Sequence, residues 1–180
     1  MSTLHFEAKL FTIGSWTILK LPKNESLKLP SRGQTMAKGT INNYQFLAAL
    51  EPDGNGSHWL NVDESIQKST GFQAGDKVVV AMESTNDWPE PDVPTDLMTA
   101  LETHKQAHSL WTAITPMARW EWIRWISSTK QPETRKRRIE VACSKLKAGE
   151  RRPCCFNRNL CCVPDVSKNG ILLEPTNAKA

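Results

Sequence analysis

Hydrophobic and polar positions alternate through the first half of the chain and recur at helical spacing through the second. Leu4, Phe6, Ala8 and Leu10 interleave with His5, Glu7 and Lys9, the two-residue period of a strand with one buried face. Trp16 to Leu21 reads as a second strand, stopped by Pro22. Thr35 to Ile41 and Tyr44 to Leu50 flank Asn42-Asn43, a pair that tolerates positive φ and predicts a two-residue hairpin turn. Asp53-Gly54-Asn55-Gly56 reverses the chain into Ser57 to Val62. Asp63 then caps a short helix ending near Gly71, and Gly75-Asp76 turns into a last strand, Lys77 to Glu83. Short strands with glycine turns predict a closed or nearly closed small barrel, with a sandwich as the competing layout.

The grammar changes at Asp87-Trp88-Pro89-Glu90-Pro91-Asp92-Val93-Pro94, whose prolines and acids predict an extended, exposed bridge. Beyond it, Thr95 or Asp96 is the expected cap of a helix through Leu97, Ala100 and Leu101, continued by a turn through Ala107, Leu110 and Trp111. Thr115-Pro116 opens the next helix, because the hydroxyl accepts an orphan N–H and proline loses nothing at the first helical position. An apolar stripe of Met117, Trp120 and Ile123, joined by Trp122 and Ile126, is expected there, with Glu121 and Arg124 pointing elsewhere. Pro132-Glu133 opens a last helix with Ile139, Ala142, Cys143 and Leu146 on one face, stopped by Gly149. The expected organisation is a barrel over 1–84, a linker over 85–94, a helical module over 95–150 and a cysteine-rich tail over 151–180.

Charge sharpens this division. Residues 119–158 hold twelve Lys/Arg and four Asp/Glu, or +8, so the rest of a chain of net charge +4 carries 4 − 8 = −4. A solvated helix face is the simplest reading of the basic end; an ion-pair network and an anion site compete for its arginines, and nucleic acid ranks below both for want of a recognised motif. Seven tryptophans stand against one tyrosine, with Trp111, Trp120, Trp122 and Trp125 crowded into the helical half. They build a core or line a cavity whose polar groups satisfy their indole N–H groups.

Candidate chemistry is thin. Cys154-Cys155 and Cys161-Cys162 put four cysteines within nine residues, but adjacent cysteines point apart, and thiols without metal are the expected state in a reducing compartment. Arg151, Arg152 and Arg158 lie close enough in sequence to lower a thiol pKa, which keeps a redox or enzymatic reading open. His104 and His108 share a helical face without the Glu of a hydrolase frame and read as a surface pair. No nucleophile elbow, phosphate-cradling loop or dinucleotide fingerprint occurs, so no catalytic residue, metal ligand or cofactor is assigned. The first thirty residues hold no uninterrupted apolar stretch, which predicts neither export signal nor membrane span and hence a cytoplasmic protein.

One group of motifs carries a family resemblance over about residues 1–150. It comprises Phe6-Glu7-Ala8-Lys9-Leu10, Gly39-Thr40-Ile41-Asn42 with Phe46, Gly75-Asp76-Lys77-Val78-Val79-Val80, and Pro94-Thr95-Asp96-Leu97 with Ala100-Leu101. It continues through Trp125-Ile126, Lys130, Glu133-Thr134-Arg135 and Arg137-Arg138-Ile139 to Leu146 and Gly149. In these the chain resembles the bacterial YdeI/OmpD-associated, or bacteriocin-protection, family with an N-terminal barrel domain of unknown function. The resemblance implies an α+β fold, a small double-split β-barrel followed by a C-terminal helical module, without an established enzymatic activity. The family name describes survival under antimicrobial-peptide stress. The periplasmic location given for some members does not carry over to this chain.

The expected function is a non-catalytic binding or stress-resistance protein, monomeric or homodimeric. Its expected partner is an anionic or apolar small molecule, or a protein, in a groove between barrel and helices. Trp120 and Trp125 would line that groove, with Lys130, Glu133, Arg135 and Arg138 closing it. An enzyme or redox protein using Cys154 or Cys161, and nucleic-acid binding through the basic helix, are the alternatives.

Overall fold

The structure is a computed structural model that describes residues 3–154 and 156–176. The alternating half forms β1 (Leu4–Ile13), β2 (Trp16–Lys20), β3 (Thr35–Ile41), β4 (Tyr44–Pro52), β5 (His58–Asn61) and β6 (Lys77–Ser84). These strands close into an antiparallel barrel in the order β1-β2-β5-β4-β3-β6. Two long strands make closure possible by changing partner partway. β1 pairs with β6 from Leu4 to Lys9 and with β2 from Leu10 to Ile13, while β4 leaves β3 after Leu50 and meets β5 at Glu51 and Pro52. Bending one strand between two partners removes the free edge that a flat sheet would expose.

Leu10, Leu19, Ile41, Leu50, Leu60 and Val80 fill the barrel, each at most 2 % exposed. The Asn42-Asn43 hairpin forms as expected, with Asn42 at φ 51°. Asn42 also joins the turn to β6: its backbone N–H donates to the Val79 carbonyl, and its side-chain oxygen accepts from the Val79 N–H. Asp63 caps α2 (Glu64–Thr70) through the Ile66 N–H, and Gly71 ends it in the left-handed conformation.

A four-residue helix, α1 (Lys23–Ser26), follows Pro22 and was not expected. It carries the fully buried Ser26, whose hydroxyl lies 2.8 Å from Nδ1 of the equally buried His58; Nε2 of His58 is 2.8 Å from the Gly33 carbonyl. A carbonyl only accepts, so Nε2 carries a proton and donates it to Gly33, while Nδ1 pairs with the Ser26 hydroxyl.

The second half forms α3 (Thr95–Thr103), α4 (Lys105–Ala113), α5 (Pro116–Ser127) and α6 (Pro132–Lys147) around Leu97, Leu101, Trp111, Trp122, Ile126, Ile139 and Leu146. Thr115 caps α5 by accepting from the Ala118 N–H, and Ile139, Ala142, Cys143 and Leu146 are all buried on α6.

Three expectations are corrected. Neither Thr95 nor Asp96 is the cap residue of α3: Pro94 occupies that position without a side-chain bond, and Asp96, inside the first turn, accepts from the Leu97 N–H as well as from Arg135. On α5 the buried residues are Ala118, Glu121, Trp122, Arg124 and Ile126, whereas Met117, Trp120 and Ile123 are half-buried. Glu121 and Arg124 are tolerated inside because residues after α6 fold back over them, with Arg152 Nε 3.5 Å from Glu121 and the Phe156 ring 5.2 Å from the Arg124 guanidinium. The bridge is not wholly exposed, since Pro91 is buried and Trp88 half-buried.

The tail adds an unexpected hairpin, β7 (Ser167–Lys168) and β8 (Ile171–Leu172), turned by Asn169 and Gly170 at positive φ. Contacts divide the chain into two units: residues up to 87 with 158–161 and those from 165 onward, and residues 88–157 with 162–164. Among the described residues no helix is long and apolar enough to cross a membrane.

Candidate functional site

The helical unit holds a cleft of 360 Å³ where the first turns of α3 and α6 meet. Ala100, Pro132 and Ile139 give it an apolar lining; Asp96, Arg135 and Lys136 bring charge to it, with Glu140 one turn beyond Lys136. Local sequence explains the arrangement. Pro132 starts α6, so Arg135, Lys136 and Ile139 fall within its first two turns, and Asp96 stands at the start of α3 beside Leu97.

Arg135 organises the cleft. Its Nε and Nη2 donate to Asp96 Oδ2 and Oδ1 at 2.7 and 3.0 Å, and its Nη1 donates to the Ser127 hydroxyl at 3.2 Å. Hydrogen bonding from Arg135 holds the Asp96 carboxyl below the usual range, and the same bond raises the Arg135 pKa. Three of the five guanidinium N–H groups are used in these bonds, which leaves two for a further acceptor.

The six residues singled out from the sequence do not form one cluster. Trp120 meets the bridge: its indole N–H donates to the Pro89 carbonyl at 2.8 Å and its ring lies edge-on to Trp88. Five residues along α5, at roughly 140° around the helix, Trp125 lies instead against Arg138. The Arg138 guanidinium covers the Trp125 ring and donates to the Trp125 carbonyl and the Ser128 hydroxyl, closing the C-terminal turn of α5. Glu133 is exposed in the first turn of α6, Lys130 is exposed just before it, and Arg135 alone of the six lines the cleft.

Asp96, Ala100, Lys136 and Ile139 belong to the cleft but were not read as site residues. Asp96 and Arg135 lie 39 positions apart, so only the packing of α3 on α6 reveals their pairing. A pairing of opposite charges at two proline-marked helix starts was the available signal.

The barrel carries a second groove of 420 Å³ lined by Lys38, Gly39, Phe46, Met82 and Glu83 among others. Its charged residues, Lys38 and Glu83, pair with each other across β3 and β6 at 3.5 Å. Of the cysteines, Cys143 and Cys161 are buried, Cys162 is half-buried and Cys154 exposed; Cys155 lies outside the described residues, as do residues 177–180 of the tail. His104 and His108 are both exposed.

Comparison with known proteins agrees with this two-part build. Residues 6–82 match a domain of unknown function numbered 1905, which spans the barrel strands up to Met82. No curated protein matches significantly. Residues 90–149 match the bacteriocin-protection, YdeI or OmpD-associated family, so the helical unit is similar to that family and is joined to a barrel that matches a domain of unknown function.

Proposed function

We propose that the protein is a non-catalytic binding protein whose helical unit takes a small amphipathic anion in the cleft between α3 and α6. The observation that carries this reading is the meeting of an apolar lining, Ala100, Pro132 and Ile139, with the Arg135 guanidinium at the positive end of α6. A carboxylate takes the two remaining Arg135 donors and the Lys136 ammonium, while an aliphatic body covers Ile139 and Ala100. At roughly 30 Å³ for each water-sized group, a volume of 360 Å³ holds about a dozen heavy atoms. A medium-chain carboxylate is of that size. Trp125 and Arg138 support the site by fixing the end of α5 beside Ser127, which holds Arg135.

Titration of the isotope-labelled protein with butanoate, hexanoate and octanoate, followed by amide chemical shifts, tests the proposal. Saturable shifts at Ala100, Arg135 and Ile139 are expected, with affinity rising roughly tenfold for each two methylenes added. Absence of saturable shifts in the cleft at millimolar octanoate overturns it.

A further inference from the structure

Arg135 is engaged by a carboxylate of its own chain before any ligand reaches it. Asp96 takes the Nε and Nη2 donors at 2.7 and 3.0 Å, the paired edge along which a guanidinium grips a free carboxylate bidentately. Asp96 is itself anchored: its Oδ1, the oxygen that accepts from Nη2, also accepts at 2.9 Å from the Leu97 N–H in the first turn of α3. An acid in that turn is favoured by the helix dipole as well. The Asp96 carboxyl is held below its ordinary pKa, chiefly by the Arg135 hydrogen bond, so it is a full negative charge near neutral pH. The other charged groups lining the cleft are Lys136 and Glu140, both exposed, so the four charges of the lining cancel.

We propose that Asp96 is a built-in competitor for Arg135 that holds down the affinity of the cleft for carboxylates, an inference that rests on the cleft being an anion site. A ligand seeking the Nε and Nη2 edge has to displace a group tethered to the same fold, whose effective concentration exceeds that of a dilute ligand. The ligand carboxylate therefore takes the donors that Asp96 and Ser127 leave, one on Nη1 and one on Nη2. It does so beside a second carboxylate, which repels it. Asp96 thus sets head-group specificity: the advantage of a carboxylate over the neutral carboxamide of the same chain length stays small until Asp96 loses its charge.

Substitution separates charge from shape. Asp96→Asn keeps the size of the side chain, and its amide oxygen keeps the Leu97 bond. Its amide nitrogen is a donor and cannot accept from Arg135 Nε, so that N–H passes to the ligand. Asp96→Ala releases both Nε and Nη2.

Hexanoate and hexanamide are titrated near pH 7 into the isotope-labelled parent, Asp96→Asn and Asp96→Ala, with affinities read from the Ala100 and Ile139 amide shifts. Both variants are expected to bind hexanoate about five- to tenfold more tightly than the parent, the effect of removing one like charge several ångströms away. Hexanamide, which keeps the shape without the charge, is expected to bind all three proteins within about twofold of each other. An equal gain for hexanamide overturns the proposal, because it marks a reshaped cleft. Hexanoate affinity that is unchanged or weaker in the variants overturns it too, and saturable binding by the parent then leaves the cleft reading standing. Absence of saturable hexanoate shifts in all three proteins removes the cleft reading and the competitor together. The Asp96 side chain is 48 % exposed, so both variants are expected to fold, as circular dichroism checks; if one does not, the other decides.

Discussion

The Arg138 guanidinium sits 5.6 Å from the centre of the Trp125 ring and donates 2.9 Å to the Trp125 backbone carbonyl, so one side chain both covers an indole and closes the end of α5. Arg138 also donates to Ser128 at 2.7 Å. A basic residue read from sequence as a ligand contact thus ties two helices of the unit together. Arg138→Ala is expected to destabilise the protein by about 1–3 kcal/mol through lost charge-assisted bonds and stacking. Arg138→Lys should recover only part, since an ammonium cannot reproduce the planar fork. Chemical denaturation of the three proteins checks this order.

Asp96 and Arg135 give a pH dependence with a definite sign. The folded-state pKa of Asp96 is lowered by the Arg135 hydrogen bond, so the unfolded chain binds its proton more readily. The contribution is therefore fully present above the unfolded value of about 4 and is lost as pH falls through the lowered folded value. The Asp96 side chain is 48 % exposed, which limits the pair to about 1 kcal/mol or less. Asp96→Asn should remove that acid-dependent increment, measured as a smaller difference in unfolding free energy between pH 6 and pH 3.

Ser26 and His58 are fully buried, so deleting either leaves a polar partner without its bond. His58→Phe removes a 2.8 Å bond from both the Ser26 hydroxyl and the Gly33 carbonyl, leaving the first only the 3.5 Å bond from Arg32 and the second only the 3.2 Å bond from the Thr35 hydroxyl, and should cost about 2–3 kcal/mol. Ser26→Ala removes the bond to His58 and the long 3.5 Å bond from Arg32, and should cost about 1–2 kcal/mol. Equal losses in thermal unfolding would contradict the bonding scheme.

Gly39 lies where β3 passes β6 so closely that an added Cβ would stand 2.0 Å from the Ala81 carbonyl oxygen. The obstacle is backbone, which cannot swing aside as a side chain can. Gly39→Ala should force the strands apart and cost upward of about 3 kcal/mol, whereas alanine at Gly14, with open space around it, meets only the strain of its positive φ. Soluble yield and unfolding midpoint of the two variants distinguish these causes.

Much of this architecture is legible in local chemistry. Alternation at Leu4 to Leu10, the positive-φ tolerance of Asn42 and the Thr115-Pro116 opening each act within a few residues, and each element forms where those signals stand. The parts that escape sequence reading depend on distant partners. Lys23 to Ser26 has no periodicity and is secured by His58, 32 positions after Ser26. Glu121 and Arg124 look like solvent-facing charges until Arg152 and Phe156 return over α5. The cleft escapes for the same reason: Arg135 was visible as a basic residue, but its Asp96 partner and the Ala100 and Ile139 surface come together only through helix packing.

The measurement that tests the central claim most directly is calorimetric titration of octanoate into the parent protein and Ala100→Trp. Ala100 is half-buried and lines the cleft, so an indole in its place fills the space that the aliphatic chain needs. The proposed site predicts saturable one-to-one binding by the parent and loss of that binding in a variant that keeps its fold by circular dichroism. Equal binding by both proteins would place the ligand elsewhere, and absence of binding by the parent would contradict the cleft as a site for an amphipathic anion.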